Sequence, residues 1–99
     1  MRQGAKLPVH IHDECEVDYE AVNVRVSAGE EVEWHSDGPA FTIDFDSSPF
    51  QQDHFEVPAG GCVSSGQVKS GVPYASYHYT IRSKVDLAMS ADPDVNIKK

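Results

Sequence analysis

The chain has 99 residues, with 16 acidic against 8 basic side chains and a formal net charge of −8 at pH 7. That length suits a single domain, residues 1–99, built on one hydrophobic core, and a hydrophobic content of 39% is too high for a disordered tail. The acidic balance argues against unaided binding to nucleic acid or an anionic membrane surface, and no apolar run is long enough to span a bilayer.

Leu7, Val9 and Ile11 open the chain with an alternation of apolar and polar residues. Val22, Val24 and Val26 continue it, then Val32 and Trp34, then Phe41, Ile43 and Phe45. Cys62 to Lys69 is a further run, Ala75, Tyr77, Tyr79 and Ile81 alternate again, and Val95 and Ile97 close the chain. A period of two marks half-buried β-strands. Turn chemistry separates the runs at Ser27-Ala28-Gly29-Glu30, Asp37-Gly38-Pro39, Pro58-Ala59-Gly60-Gly61 and Ser70-Gly71-Val72-Pro73. No segment sustains a helical period, although Ser47 to His54 could hold a helical turn. The pattern predicts an all-β Greek-key sandwich of seven or eight strands, with the alternating residues from Val24 to Ile81 supplying most of its core.

Val24-Arg25-Val26-Ser27-Ala28-Gly29-Glu30-Glu31-Val32-Glu33-Trp34 resembles the V-x-V-x-x-G-x-x-V-x-W strand pair of the cupredoxins, the plastocyanin-like copper proteins. Asp37 to Ile43 is similar to the segment that carries the first copper-ligating His in that family. Tyr77-His78-Tyr79-Thr80-Ile81 resembles its Y-x-Y-x-C strand, which delivers the ligating Cys. The resemblance implies a cupredoxin-like fold over nearly the whole chain. It also locates the copper positions: Phe41 for the first His, Ile81 for the Cys, Lys84 for the second His and Met89 for the axial Met. A blue-copper centre needs two imidazoles and a thiolate, with only a weak bond from Met. Three of the four positions therefore lack their ligand, and Phe41 with Ile81 reads as an apolar plug.

Other polar residues admit bland and sharp readings. His10 and His12 share the polar face of the first strand, with Asp13 and Cys15 close behind. No metal is expected, but His10, His12 and Cys15 are the candidates if one binds. His78 reads as a surface residue. His35, Ser36, Asp37, Ser47, Ser48, Asp53 and His54 include the residue types of a hydrolase triad, yet no nucleophile elbow or oxyanion loop accompanies them, so no enzyme is expected. Cys15 and Cys62 form no CxxC. The polar start from Met1 to Lys6 shows no secretory signal, which predicts a cytoplasmic location and reduced thiols; a trimmed periplasmic or secreted chain would instead permit a disulfide.

Residues 13–56 hold 13 of the 16 acids and a single base, Arg25. Solubility accounts for such a surface, and a sharper reading makes it a face for a basic protein partner. Glu31, Glu33, Asp44 and Asp46 are the outward acids that such a partner would meet. From the sequence, then, the favoured function is a copper-free, cofactor-free interaction module of undefined oligomeric state. The alternative is a metal-binding, copper-binding or electron-transfer protein with a non-standard site.

Overall fold

A computed structural model describes residues 6–12, 17–18, 21–85 and 90–99. Alternating burial carries the chain into nine strands among these residues: β1 (Lys6–Ile11), β2 (Ala21–Arg25), β3 (Glu31–Ser36), β4 (Phe41–Phe45), β5 (His54–Val57), β6 (Cys62–Ser64), β7 (Ser76–Ser83), β8 (Ser90–Ala91) and β9 (Asp94–Lys98). No helix forms among the described residues. Nine strands exceed the expected seven or eight, and the additional ones are short. β5 starts only at the end of the Ser47–His54 stretch that could have held a helical turn, and its four residues alternate in burial. β8 has two residues.

The strands make two sheets packed as a sandwich. One has three strands in the order β1-β3-β6, and the other has the order β2-β9-β7-β4-β5, with β8 attached to β7. β1 runs parallel to β3, and β2 parallel to β9; the remaining pairs are antiparallel. Trp34 of the smaller sheet joins the two. Its indole is fully buried and lies 5.1 Å from the Phe55 ring, 5.5 Å from Tyr79 and 6.3 Å from Phe45 in the larger sheet, counted between ring centres. Tilted and edge-to-face aromatic pairs of this kind add stabilisation beyond the area they bury.

Val24, Val32, Trp34, Phe41, Ile43, Phe45, Tyr79 and Ile81 lie in the core as the alternation predicts. Val26 and Tyr77 are only half-buried: Val26 sits at the turn after β2, and Tyr77 donates its hydroxyl to the Pro73 carbonyl at 2.7 Å. Phe50 and Phe55 add to the aromatic layer, and Val57 is buried with them. The Trp34 indole Nε1 and the Tyr79 hydroxyl are buried beside each other without closing a hydrogen bond, and burial pushes the Tyr79 hydroxyl up to about 12.

Ile43 is fully buried at the centre of β4, whereas Tyr74 is 60% exposed. Replacing Ile43 by Ala should cost about 2–5 kcal/mol, through lost transfer energy and the cavity left behind. Tyr74→Ala should stay within about 0.5 kcal/mol of the parent. Urea denaturation of both variants checks this, and equal losses would contradict the core described here.

Candidate metal centre on the three-stranded sheet

Burial of Val32 and Trp34 turns Glu31, Glu33 and His35 to the outer face of β3. Burial of Val9 and Ile11 does the same for Pro8 and His10 on β1. The pairing register then sets His10 opposite His35, and His35 opposite Cys62. Three chemistry-bearing residues from distant parts of the chain thus form a row across all three strands.

The turn before β6 delivers Cys62 to that row. Gly60 adopts a left-handed φ of 64°, which an L side chain rarely tolerates. The Gly61 amide donates to the Pro58 carbonyl at 3.0 Å, and the Gly61 carbonyl accepts from the Ser36 amide at 2.9 Å. A Cβ at Gly61 would lie 2.7 Å from the Pro58 ring. The turn is therefore tied to the end of β3 just beside His35.

Glu33, His35 and Cys62 each place a ligand atom within 4.8 Å of the others. His35 Nε2 lies 2.8 Å from Glu33 Oε1, and because a carboxylate only accepts, the proton between them sits on the imidazole. Both side chains are about a quarter exposed, at 28% and 26%, while Cys62 is exposed and carries a free thiol. The Lys6 ammonium stands 3.9 Å from the other Glu33 oxygen. The His10 ring stacks on His35, with centres 5.0 Å apart and planes inclined by 24°.

This arrangement revises the metal candidates read from sequence. His10 meets His35 across the sheet rather than pairing with His12, which lies exposed just beyond the end of β1. Cys15 lies outside the described residues. Sequence reading weighed His35 only as a triad residue and Cys62 only as a disulfide partner. The alternation against Val32 and Trp34 already turns Glu33 and His35 to one polar face, but no local signal joins them to Cys62.

The copper positions inferred from the resemblance look different. Phe41 and Ile81 are fully buried and carry no donor atom. Lys84 forms an ion pair with Glu56. Met89 lies outside the described residues. Phe41 and Ile81 therefore offer no ligand atom at their two positions.

The four outward acids do not form one face. Glu31 and Glu33 belong to the three-stranded sheet, whereas Asp44 lies on β4 of the other sheet and Asp46 just after it. The sandwich puts the two pairs on opposite outer faces because the sheets pack through their inner ones. Glu31 accepts from the Ser64 hydroxyl at 2.9 Å, and Asp44 binds His54 Nδ1 at 2.5 Å.

The hydrolase residue types serve as turn caps and surface pairs. Ser36 donates to the Pro39 carbonyl at 2.5 Å, and Ser48 donates to the Gln52 carbonyl at 2.6 Å while accepting from the Phe50 amide. His78 pairs with Asp94 on the surface. His54 lies between Asp44 and Glu56, whose nearer oxygen is 3.5 Å from Nε2. The hydrogen bond to Asp44 is the main reason that the His54 imidazole is raised above its ordinary 6.5. Lys84, followed by His54, holds the Glu56 carboxyl below 4.5.

Solved structures with a similar backbone include cupredoxins. A reduced Cu(I) form of an amicyanin variant at pH 4 matches with a TM-score of 0.59 and 16% identity, over 99% of this chain and 86% of that one. A second amicyanin variant in the reduced state gives a TM-score of 0.61 at 15% identity, with the same coverage. A purple cupredoxin from Nitrosopumilus maritimus gives 0.59 at 12% identity, over 93% of this chain and 99% of that one. The chain has a cupredoxin-like fold. No family model and no curated protein matches its sequence.

The His54 cluster has a definite pH signature. A raised histidine contributes stability that is fully present below its unfolded value of 6.5 and is lost as pH rises through the folded value. The lowered Glu56 contributes above 4.5 and loses its contribution as pH falls through its folded value. The stability gap between the parent and Asp44→Asn should therefore be widest near about pH 5.5 and shrink toward about pH 8. Thermal unfolding across that range measures it, and a gap that widens with pH would contradict the assignment.

Proposed function

We propose that this protein binds a transition metal, with copper as the leading candidate, through Glu33, His35 and Cys62 on the outer face of its three-stranded sheet. The observation that carries this reading is the convergence of the three ligand atoms within 4.8 Å of one another. A soft sulfur, a borderline imidazole nitrogen and a carboxylate oxygen together suit Cu and Zn better than Mg or Ca, which prefer oxygen alone. The copper-free interaction module favoured by sequence gains no support from this geometry; the alternative of a non-standard metal site does. The similar solved structures include a reduced Cu(I) form of an amicyanin variant, which supports copper as the first ion to test. The role is binding or carriage rather than catalysis, and the site sits away from the apolar Phe41 and Ile81.

The site needs its ligands deprotonated, so affinity should rise with pH. Cobalt(II) added to the reduced protein should produce a thiolate-to-metal charge-transfer band. Cys62→Ser should abolish that band, and Cys15→Ser should leave it intact. A band that survives in Cys62→Ser and disappears in Cys15→Ser would move the site to the first strand and overturn this reading, as would the absence of any band in the parent.

A further inference from the structure

Resting on that reading, we infer that His10 is the fourth ligand, so that one ion is held by all three strands in a closed set of two imidazoles, a thiolate and a carboxylate. His10 stands beside the tight trio rather than inside it, and three observations bring it in. The first is register: His10 is the β1 partner of His35, as Cys62 is its β6 partner, and all three face outward.

The second is ring spacing. Two imidazoles bound to one tetrahedral ion through nitrogens at about 2.0–2.1 Å place their ring centres about 5 Å apart. The His10 and His35 rings are already 5.0 Å apart. Ligation requires the His10 ring to turn from a stacked toward a converging orientation, and its half-buried position leaves room for that rotation.

The third is the anchoring of His10. Its amide donates to the Asp18 carboxylate at 3.0 Å, and its carbonyl accepts from the Asp18 amide at 3.2 Å. Ile11 also bridges to Val17. The backbone beneath the imidazole is therefore held on the side away from β3, which lowers the ordering cost of recruiting the ring. His12 lacks this placement, because β1 ends at Ile11 and its pairing with β3 ends with the Ile11–Ser36 pair.

A fourth protein ligand changes the chemistry of the site. Three ligands leave a coordination position open to water or substrate, whereas four close it. Closed coordination by nitrogen, sulfur and oxygen favours a tetrahedral ion that is held rather than one that activates a bound molecule. It would also fasten both edge strands, β1 and β6, to the central β3.

The test compares His10→Gln and His12→Gln with the parent by cobalt(II) and zinc(II) titration. The parent should show the intense visible bands of tetrahedral cobalt(II). His10→Gln should keep the thiolate charge-transfer band, lose most of the tetrahedral intensity and bind zinc at least about tenfold more weakly, since even residues behind the ligands cost that much. His12→Gln should match the parent. If His10→Gln binds as the parent does, His10 is not a ligand, while the three-residue reading survives on its charge-transfer band. If the parent shows no such band, the three-residue reading itself has failed. Should His10→Gln fold poorly without metal, imidazole nitrogen shifts of the parent on zinc addition decide the question: both His10 and His35 must move, and movement of His35 alone would overturn the inference.

Discussion

Burial of Trp34 is the constraint on which the rest of the structure depends. The indole is fully enclosed and contacts aromatic rings from the opposite sheet. A strand has a side-chain period of two, so once Trp34 points inward its neighbours Glu33 and His35 must point outward. A slip of one residue would bring a carboxylate and an imidazole into the aromatic core, at the cost of desolvating both. The force that closes the sandwich also presents Glu33 and His35 together on one face.

Cys62 and His10, the third and fourth members of the proposed site, come from strands that pair with β3 but lie far from it in the chain. Cys62 reaches His35 because the Pro58 to Gly61 turn is bound to the end of β3. His10 reaches it through a parallel pairing, which no short hairpin can make. The outer face of the smaller sheet is thus where the topology gathers soft and borderline donors. At the end of the sandwich that the resemblance points to, Phe41 and Ile81 add to the core instead. A fold shared with a reduced Cu(I) amicyanin variant here carries a candidate donor cluster on a sheet face.

Much of the fold was legible in the sequence because period-two burial repeats in run after run. The inward residues from Val24 to Ile81 follow directly from it, and the Gly-Glu-Glu-Val-Glu-Trp segment marked the strand pair that resembles cupredoxins. Short strands escaped: β8 has only two residues, and β5 shows its alternation over just four. The site was only half visible. His10 was singled out, but beside His12 and Cys15, its neighbours along the chain. Its neighbour in space is His35, and pairing partners are set by topology and register rather than by local pattern. The acidic residues failed to make one face for the same reason: Glu31 with Glu33 and Asp44 with Asp46 share a stretch of sequence but not a sheet.

Anomalous diffraction from crystals of the zinc- or copper-loaded protein locates the metal. A single strong peak is expected on the outer face of the three-stranded sheet, about 2.3 Å from the Cys62 sulfur and about 2.0–2.1 Å from imidazole nitrogens of His35 and His10. A peak at the end of the sandwich near Phe41 and Lys84, or one bound by His12 and Cys15, would contradict the proposed site.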